Sequence, residues 1–206
     1  MTNEKMNFNH ICVPAGSEGE DLQGKLFSVI KQLYKNSPFY DHTIYAHVAL
    51  VAGMASVTAT QLGGNGPIAY LAGLLHDIGA AVEGPEDHHK TGAKIAEKIM
   101  TNLGYPGDVI DAVKYCILGH RGSVRGEREA IETKCVASAD GLCHFYQIPA
   151  LFAIAFLQKG LSSREAGEWV KDKLERSWRK MLPVHKKMAR KRHKAVMETL
   201  GEALAW

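Results

Sequence analysis

The stretch 71–79, LAGLLHDIG, limits what this chain can fold into more than any other. It is an apolar run interrupted near its end by an adjacent imidazole and carboxylate, His76 and Asp77. Burying such a pair at the end of a greasy helix is costly unless something neutralises or ligates it. A divalent metal is the obvious candidate, so a fold built around the pair has to bring further ligands to the same point.

The pattern on either side is helical. Leu26, Phe27, Ile30, Leu33 and Tyr34 recur at helical spacing over 25–35, and Ser37 and Pro38 then stop that helix. The small residues Ala46, Ala49, Ala52, Gly53, Ala55 and Ser56 predict a central, largely buried helix over 41–61 that carries His47. After the breaker Gly63-Gly64-Asn65-Gly66, Pro67 suits a first helical turn. The helix it starts is expected to run through His76 and Asp77 and end near Gly79. Further helices are expected over about 91–102, closed by Gly104 and Pro106, over 108–119 and over 129–146. Ser162 and Glu165 form a capping box, and Pro183 separates the helix they start from a last one reaching about Leu200. No segment reads as a strand. The expected fold class is therefore all-α, in one domain over 1–206, with a core at about 40–146, an N-terminal arm over 1–24 and a C-terminal helical extension over 149–206.

Composition narrows the setting. Cys12, Cys116, Cys135 and Cys143 form no CxxC pair and no disulfide framework, so they read as reduced thiols in a cytoplasmic protein. The apolar run 148–157 is too short to span a bilayer, and no membrane partner is expected. The formal net charge of +3 is too small to imply nucleic acid. The run 185–194, HKKMARKRHK, packs six Lys or Arg into ten residues. With no interleaved aromatics to stack bases, and with Glu198 and Glu202 following, it reads as a solvated helix face. Nucleic acid is accordingly not expected as a partner, and oligomeric state stays open.

The candidate ligands are His47, His76, Asp77, His88, His120 and Asp140, each on or at the end of a separate predicted helix apart from the central pair. His88 shares a face with Gly92, Ile95 and Ile99, and His120 with Val109, Val113 and Cys116. His42 competes with His47, His89 with His88, and Asp108 and Asp111 with Asp140, while His144 lies one turn after Asp140. Imidazole and carboxylate donors suit iron, manganese, zinc or nickel, or magnesium where more oxygens take part. Four ligands hold one ion, and six can hold a pair.

The order of these features resembles the HD-domain superfamily of metal-dependent phosphohydrolases: His47 with Val51-Ala52 and Ala55, then HDIG at 76–79, then His88 with Gly92-Ala93, then His120, then Ala139-Asp140. The resemblance covers roughly 40–146 and implies a helical HD-domain bundle with additional C-terminal helices. It implies His47, His76, Asp77 and Asp140 as the signature ligands, with His88 and His120 matching members that hold two metals. The cofactor is thus one or two divalent ions (Fe, Mn, Zn, Ni or Mg).

A bound divalent ion activates water and polarises phosphoryl oxygens, so phosphate-ester hydrolysis is the natural reaction. Asp77 is the candidate to orient the attacking water. The loop after His120 offers Arg121, Ser123, Arg125 and Arg128 for the phosphate, with Arg121 first because its planar fork adjoins a presumed ligand, and Lys90 is a second candidate. The expected substrate is a small phosphorylated molecule such as a nucleotide. Two rivals remain: a dinuclear-iron oxygenase like myo-inositol oxygenase and its phosphonate-cleaving relatives, and a binding or signalling module that holds metal without turnover.

Overall fold

Helix packing begins where side chains are absent. In the computed structural model, which describes Phe8 and residues 22–38, 43–121 and 129–205, α2 (Thr43–Gln61) and α3 (Gly66–Leu75) lie against each other with Gly73 facing Ala52. A β-carbon on Gly73 would stand 2.6 Å from the Cα of Ala52, so only glycine allows this approach. Around it Val48, Val51, Ala52, Ala55 and Ala59 of α2 and Ile68, Leu71, Ala72 and Leu75 of α3 are fully buried. Asn65 caps α3, its side chain accepting from the backbone N–H of Ile68 at 3.1 Å, and Pro67 occupies the first turn as the sequence predicts.

The chain divides into two compact units, Met1–Val136 and Ala137–Trp206. The first holds α1 (Leu22–Lys35), α2, α3, α4 (Ile78–Glu83), α5 (His88–Leu103), α6 (Gly107–Gly119) and the start of α7 (Ile131–His144). The second holds the rest of α7, α8 (Ile148–Ala153) with a π-helical turn at Ile154–Gln158, α9 (Ser163–Lys180) and α10 (Pro183–Leu204). The capping box stands as expected, with Ser162 and Glu165 bonded in both directions at the start of α9. The fold is all-α, and no strand occurs among the described residues. No single helix among them is long and apolar enough to cross a membrane. The predicted arm over 1–24 lies almost entirely outside the described residues.

Two helix boundaries correct the sequence reading, and both matter for function. The helix from Pro67 does not run through to Gly79: α3 ends at Leu75, His76 caps it, and Asp77 leaves helical geometry at φ −106° and ψ 11° before α4 starts. Nδ1 of His76 bonds the Gly73 carbonyl at 2.7 Å, taking the acceptor that a continued helix would offer to the Asp77 N–H. Gly79, rather than ending a helix, lies inside α4, where a β-carbon would overlap the His88 carbonyl and the Gly92 backbone of α5. Helix α5 starts at His88, earlier than the predicted 91, because Asp87 turns the chain in the left-handed region at φ 46°.

Cys116, Cys135 and Cys143 are free and buried. Burial pushes the thiols of Cys116 and Cys135 up to about 12 and raises that of Cys143 as well. All three should resist Ellman's reagent at pH 8 and react only once the protein is unfolded; rapid reaction of the native chain at these positions would contradict the packing. Gly73→Ala should lower stability by about 1–3 kcal/mol in urea unfolding, the usual cost of overpacking. A variant as stable as the parent would show that α2 and α3 do not meet this closely.

Candidate metal centre

Four helix segments deliver one histidine each to the same carboxylate. His47 comes from α2, His76 from the end of α3, His88 from the first turn of α5 and His120 from the C-terminal cap of α6. Asp77 stands between them in the break before α4. Its Oδ2 lies 3.2 Å from Nε2 of His76 and 3.8 Å from Nε2 of His47, and its Oδ1 lies 3.5 Å from Nε2 of His88 and 3.8 Å from Nε2 of His120. Neighbouring rings are 5.1–5.4 Å apart between centroids. His47, His76 and His120 are buried, and the Asp77 side chain keeps 20% of its exposure.

The outer edges of three rings set their chemistry. Nδ1 of His76 bonds the Gly73 carbonyl at 2.7 Å, Nδ1 of His88 the Pro85 carbonyl at 2.9 Å, and Nδ1 of His120 the Ile117 carbonyl at 2.6 Å, each three residues back along the chain. A carbonyl only accepts, so each ring carries its proton on Nδ1, and in the neutral ring Nε2 presents a lone pair. Three lone pairs therefore face a carboxylate that is itself an acceptor. Charging the rings would crowd imidazolium ions 5.1–5.4 Å apart around one anion. A cation between the groups resolves the conflict, and atoms that ligate one ion at about 2.0–2.2 Å lie roughly 3–4 Å from one another, the range observed. His76, Asp77 and His120 have ligand atoms mutually within 4.8 Å and form a group that can hold a metal. The donor set fits a divalent ion of the imidazole-binding kind and does not identify which one.

The remaining expected site residues fall in several places. His88, and not its neighbour His89, faces Asp77. His89 is buried with no hydrogen bond to its Nδ1 among the described residues, and burial followed by the Arg121 charge lowers its pKa. Lys90 and Arg121 share one partner that the sequence did not reveal, Asp87. Lys90 donates to Asp87 Oδ2 at 2.8 Å, and Nη1 of Arg121 lies 3.7 Å from Oδ1. The hydrogen bond from Lys90, and then its charge, hold the Asp87 carboxyl below the usual carboxylate range. Ser123, Arg125 and Arg128, like His42, lie outside the described residues. Asp108 accepts from the N–H of Val109, and Asp111 sits exposed beside Lys114 on α6.

Asp140 belongs to the second unit, where it is buried on α7. One oxygen lies 3.3 Å from Nε2 of His144 and the other accepts from Lys180 of α9. His144 in turn bonds Ser177 Oγ through Nδ1 at 2.9 Å, and Ser177 donates to the Lys173 carbonyl. The one-turn spacing of Asp140 and His144 was readable from the sequence. Lys180 and Ser177 were not, because they sit in a mixed-charge helix with no local mark.

Known proteins match this chain over the stretch that carries the histidines. The HD-domain family model matches residues 44–143, so the chain carries an HD domain over that stretch. Its curated relatives include Ribonuclease Y of Aliarcobacter butzleri, 35% identical over 137 residues covering 61% of this chain and 24% of the relative. Ribonuclease Y of Thermoanaerobacter pseudethanolicus is 30% identical over 148 residues, 67% of this chain and 27% of the relative. The chain thus spans about a quarter of the length of these relatives. Among solved structures, a predicted HD superfamily hydrolase from an uncultured Thermotogales bacterium aligns with 22% identity and a TM-score of 0.48 over 74% of this chain and 84% of that one.

These relatives overturn the partner expectation drawn from the sequence. A small phosphorylated substrate, with nucleic acid set aside, does not accord with a run of relatives named as ribonucleases. The low overall charge and the apparent lack of aromatics beside the basic run had argued the other way, and neither measures what three-dimensional packing places side by side.

If the histidines hold a divalent ion, adding Mn²⁺ or Zn²⁺ to metal-stripped protein should raise its Tm. At a hundredfold excess over Kd the stabilisation is about 2.7 kcal/mol. Asp77→Ala should abolish most of the rise; a rise of equal size in the variant would place the metal elsewhere.

Proposed function

We propose that this chain is a metal-dependent hydrolase of phosphodiester bonds in RNA. The observation that carries the reading is Asp77 among four imidazole nitrogens at 3.2–3.8 Å. The ribonuclease relatives support the choice of RNA over other phosphate esters.

In this reading His47, His76, Asp77, His88 and His120 would hold one or two ions. When bound, a divalent ion supplies water activated near neutral pH and a positive charge for a phosphoryl oxygen. Asp77 would take part in holding the ion and, as a hydrogen-bond acceptor, would orient the attacking water. The backbone bonds at Nδ1 of His76, His88 and His120 fix the rings, so their lone pairs need no reorganisation when substrate arrives. Arg121 grips non-bridging oxygens with its fork and Lys90 adds a point charge. Asp87, bound to both, holds the two cations side by side until a phosphate takes them over.

Cleavage of a labelled single-stranded RNA with Mn²⁺ supplied tests this. Asp77→Asn should lower kcat by about 10²- to 10⁴-fold. Arg121→Ala should chiefly raise KM, by about tenfold for the loss of some 1.4 kcal/mol. An unchanged rate in Asp77→Asn, or a purified protein holding two irons per chain that consumes oxygen, would overturn the reading.

A further inference from the structure

Charge is unevenly divided along the chain. Residues 137–206 carry thirteen Lys and Arg against seven Asp and Glu, whereas residues 1–136 carry twelve against fifteen. The modest net charge of +3 therefore conceals a basic second unit. Much of the excess sits on α10, where six cations precede its first acid, Glu198.

The helix presents those cations outward. His185 and Ala189 form its buried stripe, while Lys187, Arg190, Lys191, Arg192 and Lys194 are exposed. Lys194 lies 3.8 Å from Glu198, but among the described residues no carboxylate pairs with Lys187, Arg190 or Lys191. Lys187 and Lys191 are four apart, as are Arg190 and Lys194, spacings at which like charges destabilise a helix. Helix stability does not account for this arrangement.

Folding also supplies what the linear sequence lacks. The Arg192 guanidinium lies over the ring of Tyr146, 4.3 Å from its centroid, and Tyr146 is 42% exposed. Trp178 of α9 stacks on His193 at 4.0 Å and 19°, with Lys186 Nζ 5.7 Å from the indole centroid. Phe145 buttresses both rings edge-on. Aromatic residues distant in sequence thus lie against α10, Tyr146 under Arg192 and Trp178 beside Lys186 and His193. Duplexes and lipid headgroups need only the positive charge, whereas a single strand offers phosphates and unpaired bases together, and this surface has partners for both.

We infer that the exposed side of α10 formed by Lys187, Arg190, Lys191 and Arg192, with Tyr146 at its edge, binds single-stranded RNA, the cations tracking its phosphates and the Tyr146 ring stacking a base. The choice of RNA rests on the hydrolase reading above; the surface itself does not involve the histidine centre.

Fluorescence anisotropy of the full chain with a labelled, 2′-O-methylated 20-mer of uridylate tests the surface. A duplex of the same length, an abasic strand and phosphatidylserine vesicles serve as competitors. The triple variant Lys187→Ala, Arg190→Ala, Lys191→Ala should bind at least about tenfold more weakly and lose about two units of slope of log K against log salt. Tyr146→Ala should weaken uridylate binding by about tenfold, the loss of one stacked base, while circular dichroism confirms that both variants fold. The inference is overturned if the triple variant binds as the parent does. It is equally overturned if duplex, abasic strand or vesicles compete as well as uridylate, which would mark a general polyanion surface. Hydrolysis of bis(p-nitrophenyl) phosphate, a diester without bases, is measured separately on the parent protein. A chain that hydrolyses it but ignores the oligomer overturns the surface alone, and one that binds the oligomer but hydrolyses nothing overturns the catalytic reading alone.

Discussion

An acceptor surrounded by acceptors governs the histidine centre. Asp77 brings carboxylate oxygens, and the rings of His76, His88 and His120 each direct a proton to the backbone carbonyl behind them. What converges is a set of lone pairs whose mutual repulsion only a cation relieves. The rings of His76, His88 and His120 are each fixed by a carbonyl three residues back, in a helix turn for His76 and His120 and in the loop before α5 for His88, and that bond does not depend on their neighbours in the cluster. Such a site is preorganised toward positive charge and stays so whether or not substrate is near.

The same requirement shapes the backbone. The bond from His76 to Gly73 ends α3 at Leu75, two residues before Asp77, which leaves Asp77 outside helical geometry and turned toward the histidines. Directly afterwards α4 packs its Gly79 against the start of α5 so tightly that a β-carbon would meet backbone. That contact fixes the first turn of α5, and with it His88, relative to Asp77. Gly73 does the corresponding work between α3 and α2, which carries His47. Glycine at these two places is a condition for the histidines meeting at all, so the polar cluster and the apolar packing around it form one construction.

Much of this was legible in the sequence. Helical periodicity gave the all-α class, and the pairs Asn65 with Pro67 and Ser162 with Glu165 marked helix starts that the structure keeps. His47, His76, Asp77, His88 and His120 could be listed because imidazoles on apolar helix faces stand out. The path through the pair itself was misjudged, since a side chain taking a backbone carbonyl leaves no trace in hydrophobic periodicity. Asp87 was unreadable for a related reason: an acid in an acidic, glycine-containing loop looks like solvated surface until the fold brings Lys90 and Arg121 to it. Ser177 and Lys180 sit in a helix of mixed charge whose spacing does not point to Asp140.

The error over nucleic acid has a physical lesson of its own. Net charge averages over a molecule, whereas a polyanion responds to the local field, and this chain divides its charge between an acidic stretch of 136 residues and a basic one of 70. The basic run on α10 holds no aromatic of its own; the rings against that helix come from the turn after α7 and from α9. Stacking residues need not share an element with the cations they serve. The two units thus make opposite demands: one gathers lone pairs and calls for a cation, the other gathers cations and calls for an anion.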